Sequence, residues 1–139
     1  MLDLLPSDRR LSVTYAESQE PPPVWGDAFR LGQVFTNLIR NALEATPDGG
    51  TVEVRVEPDH GERVRLVVRN TGVGIPPELQ ERVFQPFFTT RSRGTGLGLA
   101  IARQIVEAHR GNLRVESDGK TETAFVVELP IAAPALIRS

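Results

Sequence analysis

The chain has 139 residues, of which 40% are hydrophobic and 24% charged, and its formal net charge at pH 7 is −2. We therefore expect one domain over residues 1–139, with a single core and a frayed tail at 131–139. The small net charge gives no general attraction to nucleic acid or acidic membranes, and no apolar run approaches the roughly 20 residues that span a bilayer. Because the chain has no cysteine, disulfides and thiolate metal sites are excluded.

The N-terminal third of the chain predicts a strand followed by a long helix. Residues 10–15 alternate polar and apolar side chains, as a half-buried strand does, and three prolines at 21–23 then interrupt regular structure. Asp27 is a good helix N-cap, and apolar residues recur at helical spacing after it. This helix should end before the turn-forming residues 47–50.

The middle of the chain predicts a β-hairpin and a short helix. Three valines within residues 52–56 alternate with charged residues, which is typical of a strand with one buried face. Residues 59–61 predict a turn and residues 64–68 predict its partner strand. Two prolines can begin a short helix over residues 76–83.

The last part of the chain predicts a long loop, a helix and two strands. Residues 84–96 show no clean period and favour a loop, whereas residues 97–109 are apolar around most of a helix circumference and favour a buried helix. Residues 112–116 and 124–129 predict two more strands. Because the strands come in pairs with helices between them, the order favours an α+β fold, a two-layer sandwich whose sheet is covered on one face by helices.

A polar stripe lies along the first predicted helix. Gln33, Asn37 and Asn41 share one face, and Glu44 follows three residues later. Asn is a poor helix former, so two Asn residues in mid-helix need a reason. The stripe is either a solvated face or a source of an amide oxygen for Mg²⁺, which takes few protein ligands and keeps water and phosphate oxygens.

A glycine-containing cluster, NTGVGI, begins at Asn70 and directly follows a predicted strand. Gly72 and Gly74 allow backbone conformations and close approach that a Cβ would block. The cluster is either an ordinary turn or part of a nucleotide site. In the second interpretation the Asn70 amide lies at a base edge, where it accepts from the adenine amine and donates to a ring nitrogen.

The predicted loop has the composition of a lid over a phosphate site. Its phenylalanines either belong to the core or seat the lid, and Arg91 and Arg93 can face polyphosphate. Gly94, Gly96 and Gly98 supply hinge freedom and backbone N–H groups before the next helix. The run matches neither the P-loop, since no Gly-Lys-Ser/Thr follows, nor the Rossmann fingerprint.

The two histidines do not predict a catalytic or metal cluster. His60 lies in a predicted turn and His109 at the end of a predicted helix, and nothing resembles a Ser-His-Asp set. We expect His109 to interact with the C-terminal end of the helix dipole.

Four segments in this order resemble the ATP-binding catalytic domain of sensor histidine kinases. That domain has the Bergerat-type fold, which is shared with gyrase, the MutL ATPases and the ninety-kilodalton heat-shock chaperone. The resemblance runs from Asp27 to Pro130. The four segments are an Asn box at 33–42, a first glycine box at 70–75, a Phe box at 83–90 and a second glycine box at 94–101, and residues 123–130 also resemble the family's closing strand.

The resemblance implies a mixed sheet beneath an ATP lid, with phosphoryl transfer from ATP and Mg²⁺ as the cofactors. It implies that Asn41 binds Mg²⁺ and that Asn37 and Arg91 act catalytically near the phosphates. It places Asn70 and Thr123 at the adenine. The remaining residues that it places at ATP are Gly72, Gly74, Ile75, Gly94, Thr95, Gly96, Leu97, Gly98 and Leu99.

Three positions depart from the family's pattern. Asn70 stands where most members have Asp, Arg91 where Lys is common, and Glu122 where a Gly often precedes the closing Thr. Arg91 keeps the positive charge of the lysine. Asn70 either weakens adenine binding or is tolerated through its amide.

No segment resembles the dimerisation helices that carry the phosphoacceptor histidine. The resemblance therefore implies a cytoplasmic, monomeric catalytic domain that binds nucleotide but does not autophosphorylate alone, whether or not its parent protein is membrane-anchored. Its direct partner would be its own dimerisation domain, and a response regulator would follow indirectly. We expect no contact of this segment with nucleic acid or membrane.

Two alternatives stay open at this point. One is an anti-sigma-type serine kinase or an ATPase of the same superfamily, and the other is a module that binds nucleotide without turnover. ATPase members place a Glu four residues before the Mg²⁺-binding Asn, to activate water. That position is Asn37 here, which favours transfer over hydrolysis.

Overall fold

A computed structural model describes residues 10–15, 26–47, 49–59, 63–87 and 98–130. The expected tail at 131–139 and the turn around residues 60–62 lie outside the described residues. The elements in chain order are β1 (Arg10–Tyr15), α1 (Ala28–Ala45), β2 (Thr51–Asp59), β3 (Arg63–Thr71), two 3₁₀ helices (Pro77–Leu79 and Arg82–Phe84), α2 (Gly98–Ala108), β4 (Asn112–Ser117) and β5 (Glu122–Pro130).

The five strands form one mixed sheet in the order β1-β2-β3-β5-β4. β1 pairs with β2 in parallel, and the other neighbours are antiparallel. Both helices pack on one face of the sheet, because the main core joins residues of α1 and α2 to alternate residues of β2 through β5. The predicted α+β sandwich, with helices on one face of a mixed sheet, is confirmed.

The capping and the apolar face of α1 follow the prediction. The Asp27 carboxylate accepts hydrogen bonds from the N–H groups of Phe29 and Arg30, at 3.0 and 3.1 Å, which satisfies two of the donors that a helix start leaves unpaired. The residues that face the sheet are buried: Leu31, Val34, Leu38, Ile39, Ala42 and Leu43. This packing fixes the rotation of α1 about its axis, and the polar stripe therefore lies at the border of the buried face.

The second helix is buried on one face, whereas its composition, apolar around most of the circumference, predicts a buried helix. Ala102, Ile105 and Val106 face the core, whereas Ile101 and Glu107 are exposed. α2 packs against α1 and the sheet, so its remaining surface meets solvent whatever its apolar content. No helix among the described residues is long and apolar enough to cross a membrane.

His109 joins the ends of the two helices. Its Nδ1 donates to the Ile105 carbonyl at 2.7 Å, a contact with the last turn of α2 in line with the prediction. Its Nε2 accepts from the Asp27 N–H at 3.0 Å. The end of α2 is thereby tied to the start of α1, and the two helices run antiparallel.

The face of the sheet away from the helices carries pairs of Arg and Glu. Arg65 lies 3.2 Å from Glu57 and 3.6 Å from Glu128, and Arg114 lies 2.9 Å from Glu128. Opposite charges on neighbouring strands support strand pairing and suit a face that meets water. The apolar residues on this face form one small buried cluster: Val67, Ala124 and Val126.

Several predicted elements differ from the structure in type or extent, the short helix and β3 among them. The single helix expected over 76–83 is two 3₁₀ helices. In the first, the backbone N–H groups of Leu79 and Gln80 bond to the carbonyls three residues back, those of Pro76 and Pro77, at 2.9 and 3.2 Å. β3 continues past the predicted end at residue 68, because Asn70 and Thr71 pair with Thr123 and Glu122 of β5. That pairing is non-local and has no sequence signal near residue 70.

The end of α2 carries a left-handed residue that is not glycine. Arg110 has a φ of 65°. The N–H groups of Arg110 and Gly111 bond back to the carbonyls of Glu107 and Val106, at 3.0 and 2.9 Å. These two bonds form a Schellman motif, in which glycine is favoured at the position of Arg110.

Arg110→Gly should raise the free energy of unfolding by about 0.5–1 kcal/mol, because glycine adopts this φ without the Cβ penalty. Urea denaturation measures the change. The matched control is Gly111→Ala, which should destabilise the fold because a Cβ there would lie 2.2 Å from the Glu128 carbonyl oxygen. A less stable Arg110→Gly variant would contradict the strain at residue 110.

Candidate functional site

The polar stripe of α1 faces the start of α2. Asn37 and Asn41 are half-buried, whereas Gln33 is exposed. The Asn37 amide Nδ2 donates to the Gly98 carbonyl at 3.4 Å, so the packing of two helices brings together residues that are far apart in sequence. The stripe is therefore not merely a solvated face, since two of its members lie against other parts of the chain or at the edge of the core.

The second glycine box is described only from Gly98 onward. Gly98 is the first residue of α2, and Leu99 packs partly against the core. A Cβ on Gly98 would lie 3.9 Å from Asn37 Cγ, an ordinary contact, so steric crowding with Asn37 does not require glycine there. The other predicted residues of this part lie outside the described residues: Arg91, Gly94, Thr95, Gly96 and Leu97.

Two buried polar residues lie side by side where β3 and β5 pair. Asn70 and Thr123 are directly opposite in the register, and they are 2% and 4% exposed. Both lie on the face of the sheet that the helices cover, beside Val52 of β2. Buried polar side chains in an apolar core are uncommon unless they are hydrogen-bonded or bind something, so this pair marks one end of the candidate site.

The Asn70 amide has a defined orientation. Its Nδ2 donates to the Thr71 carbonyl at 3.1 Å. Because a carbonyl can only accept, the amino group faces Thr71 and the Oδ1 acceptor points elsewhere. Of the two groups that the amide interpretation uses, the Oδ1 acceptor faces away from Thr71, whereas the Nδ2 donor is bonded to the Thr71 carbonyl.

The glycines of the first glycine box are needed by the fold itself. Gly72 has a φ of 144°, and a Cβ on it would lie 2.7 Å from the Ala45 carbonyl oxygen at the end of α1. A Cβ on Gly74 would lie 2.4 Å from the Lys120 backbone nitrogen. The predicted close approach exists, but the described neighbours are other parts of this chain, and the Ile75 N–H is already bonded to Ser117 Oγ, at 2.9 Å.

α1 spans the distance between the two groups of site residues. Ala45, at its end, contacts Gly72, and Asn37, eight residues earlier, contacts Gly98. Eight residues of α-helix correspond to about 12 Å, and Asn41 lies midway. Polar side chains therefore lie beyond the Ala45 end of this stretch of helix, at Asn70 and Thr123, and at its other end, at Asn37.

The Phe box separates into a core residue and an exposed one. Phe84 is buried, with its ring edge-on to Phe125 at 6.2 Å between centroids, and the Arg103 guanidinium lies 4.4 Å from its ring centroid. Phe87 is 73% exposed and has a φ of 68°. The Phe87 side chain is therefore not part of the core, and Phe88 lies outside the described residues.

Arg103 is a residue that the sequence analysis missed. It pairs with Glu81 at 3.2 Å in addition to its contact with Phe84, and so joins α2 to the segment that precedes the expected lid. The one local signal was Glu107, four residues later on the helix and 3.5 Å away. The contacts with Glu81 and Phe84 come from tertiary packing.

The turn between β4 and β5, residues 117–122, lies against the first glycine box. Hydrogen bonds from the Thr121 hydroxyl and from the N–H groups of Lys120, Thr121 and Glu122 hold the pKa of the Asp118 carboxyl well below its usual range. Asp118 is therefore ionised at any ordinary pH, and the hydrogen bonds that its carboxylate accepts in the turn do not change with pH in that range.

Known proteins with similar sequences point to one family. The family of histidine kinase-, DNA gyrase B- and HSP90-like ATPases matches residues 26–133. Sporulation kinase A of Bacillus subtilis is 44% identical over 105 residues, which cover 76% of this chain and 17% of that protein. The chain thus spans less than a fifth of the length of this relative.

Solved structures give the same result. The nucleotide-free catalytic domain of histidine kinase ThkA superposes with a TM-score of 0.78 at 36% identity, covering 91% of this chain and 82% of that chain. Full-length ShkA in complex with AMPPNP gives 0.76 at 32% identity, covering 88% of this chain and 26% of that chain. A ThkA complex with the response regulator protein TrrA gives 0.73 at 36% identity, covering 88% of this chain and 34% of that chain.

These matches fit a five-stranded sheet whose covered face carries an Asn-bearing helix and a glycine box. Sensor histidine kinase ZraS of Salmonella typhimurium is a further relative, 35% identical over 125 residues that cover 90% of this chain and 27% of that protein. The chain belongs to the family of histidine kinase-, DNA gyrase B- and HSP90-like ATPases.

Proposed function

We propose that this chain is an ATP-binding catalytic domain that donates the γ-phosphoryl group of ATP to a histidine on a separate dimerisation domain, in two-component signal transduction. The observation that carries the proposal is the position of polar groups along α1. Buried Asn70 and Thr123 lie beyond its Ala45 end, and the Asn37–Gly98 contact lies about 12 Å along the helix from Ala45. We further propose that residues 1–139 act as one monomeric domain in the cytoplasm.

The base end would recognise adenine through uncharged groups. Asn70 Oδ1 offers an acceptor for the exocyclic amine, and the Thr123 hydroxyl offers both a donor and an acceptor beside it. Burial strengthens such hydrogen bonds because water does not compete for them. Gly72, Gly74 and Ile75 would support this end through the backbone contacts that hold their loop.

The proposed metal is Mg²⁺, and the donors present suit it. The described residues contain no group of three or more His, Cys, Asp or Glu side chains that could hold a metal ion. Mg²⁺ bound to a nucleotide needs only one or two protein oxygens, since phosphates and water complete its octahedron. The Asn41 amide would supply such an oxygen, and the bound ion would neutralise charge on the phosphates.

The chemistry would be positioning and charge neutralisation. Asn37 lies against the first residue of α2, so it would hold that helix start near the phosphates. We propose that Arg91, Gly96 and Leu97 lie by the polyphosphate under a lid from Phe84 to Thr95, with Gly94, Thr95, Gly98 and Leu99 also at the nucleotide. The position four residues before Asn41 is an amide and not a carboxylate, which favours transfer to a histidine over activation of water.

Two solved structures support the choice of ligand and partner. ShkA has been solved with AMPPNP, and ThkA with the response regulator TrrA. By analogy we propose ATP as the substrate, the chain's own dimerisation domain as the direct partner and a response regulator as an indirect one. A second candidate is a nucleotide-binding module without turnover, which the amide at position 70 in place of an acid favours.

Asn41→Ala should abolish Mg²⁺-dependent nucleotide binding. The variant removes the proposed oxygen ligand, while alanine preserves the helix. Titration calorimetry with AMPPNP, with and without Mg²⁺, should show affinity at least about tenfold lower than wild type and no response to the metal. Arg40→Ala, exposed on the same helix, is the control. Unchanged affinity in Asn41→Ala would remove Asn41 from the site.

Asn70→Asp should retain or improve ATP affinity but lower the melting temperature. The carboxylate keeps the acceptor for the adenine amine, yet it loses the hydrogen bond that Nδ2 donates to the Thr71 carbonyl in a buried position. Calorimetry and thermal denaturation measure the two effects separately. Asn70→Leu, which has no acceptor, should bind more weakly. A clear loss of affinity in Asn70→Asp would refute the acceptor role of the amide.

The chain by itself should bind ATP without labelling itself. Incubation with γ-labelled ATP should leave the chain unlabelled, and addition of a His-bearing dimerisation domain should give labelled protein there, because neither His60 nor His109 has the context of a phosphoacceptor. Release of labelled phosphate without a partner would favour the ATPase alternative. Labelling of the isolated chain would contradict the proposal that the phosphoryl acceptor lies on a separate dimerisation domain.

A further inference from the structure

The first glycine box depends on the hairpin turn for its backbone hydrogen bonds. The Gly72 N–H donates to the Thr121 carbonyl, and the Ile75 N–H donates to Ser117 Oγ, both at 2.9 Å. Gly74 lies so close to the backbone of Lys120 that a side chain cannot fit between them. The segment 72–75 is therefore placed by a turn more than 40 residues later in the sequence.

The Ser117 hydroxyl is the centre of this contact. It donates to the Glu122 carbonyl at 2.7 Å and accepts from the N–H groups of Ile75 and Gly119, at 2.9 and 3.0 Å. A hydroxyl has one donor and two acceptor positions, so its capacity is fully used. One side chain thus closes the hairpin turn and attaches the glycine box to it.

Ser117 also continues the polar row across the sheet. It lies opposite Thr123 in the register of β4 and β5, and Thr123 lies opposite Asn70 in the register of β5 and β3. Directly opposite residues of antiparallel strands share a face. Asn70, Thr123 and Ser117 are therefore neighbours on the helix-covered face, with the first two buried and the third bonded to the loop beside them.

Gln80 holds the same loop from the other direction. Its Nε2 donates to the Ile75 carbonyl at 3.0 Å and to the Ser117 carbonyl at 3.5 Å. The N–H and the C=O of Ile75 are thus both bonded to the Ser117–Gln80 pair. This residue of the loop has little freedom to move while the two side chains are intact.

We propose that Ser117 is a positioning residue for the base end of the nucleotide site, which acts by fixing the 72–75 loop and the Asn70–Thr123 pair without contacting the ligand. The inference rests on the proposed function. Gln80 supports Ser117 in this role from the 3₁₀ segment.

The test compares Ser117→Ala with Ser117→Thr in the full chain. Ser117→Ala leaves the Ile75 N–H without its acceptor, and affinities for ADP and AMPPNP should both fall about tenfold, the effect of one hydrogen bond left unmade. Ser117→Thr keeps the hydroxyl and should restore both affinities to within about twofold of wild type. Hydrogen exchange of the Ile75 amide should quicken in the alanine variant only.

Val126→Ala controls for general loss of stability, since it truncates a core residue on the opposite face of the sheet. It should lower the melting temperature without changing the affinity for either nucleotide. An equal loss of affinity in this control would assign the effect of Ser117→Ala to stability and overturn the proposal.

Gln80→Met covers the case in which Ser117→Ala does not fold. It removes the hydrogen bonds from Nε2 to the carbonyls of Ile75 and Ser117 but leaves the Ser117 hydroxyl in place, and it should also lower the affinity for both nucleotides. If Ser117→Ala folds and binds with wild-type affinity, the proposed role of Ser117 is wrong. If Ser117→Ala does not fold, wild-type affinity in Gln80→Met leads to the same conclusion. If the wild-type chain binds no nucleotide, the proposed function is itself wrong and this inference fails with it.

Discussion

The packing of α1 against the sheet is the interaction on which the rest of the structure depends. Its apolar face, centred on Val34, Leu38 and Ala42, is fully buried, so the helix cannot rotate without exposing core. That constraint leaves Asn37 and Asn41 at the border of the core. It also brings Ala45 against Gly72 and Asn37 against Gly98. One helix thus sets the separation between the two ends of the candidate site.

The glycines beside α1 illustrate how a motif can serve the fold and a ligand together. Gly72 and Gly74 are required because the Ala45 carbonyl and the Lys120 backbone occupy the space of a side chain. Contacts between two backbone segments restrict the position of a loop, because neither segment can move aside as a flexible side chain can. In the proposed function, the glycine box would serve nucleotide binding by fixing the loop that follows Asn70.

The sequence was sufficient for local features and insufficient for contacts between distant segments. The cap at Asp27, the alternation of the β2 valines and the end of the last strand at Pro130 are encoded within a few residues, and the structure follows them. The extension of β3 to Thr71 was not foreseeable, because it depends on pairing with β5. Arg103 and Ser117 were missed for the same reason, since Glu81 lies 22 residues from Arg103 and Ile75 lies 42 residues from Ser117.

The uncovered face of the sheet explains how a two-layer fold tolerates a central β3 strand. A strand of this kind in a three-layer protein is apolar on both faces, whereas β3 alternates core valines with Arg65 and Arg69. Each of these arginines reaches glutamates on both neighbouring strands. Arginine suits this use better than lysine because its planar fork can contact two carboxylates at once. The charged face therefore supports the pairing of the strands from one side, while α1 and α2 cover the sheet on the other. Asn70 and Thr123 are buried polar residues at the end of that covered face, away from the charged pairs.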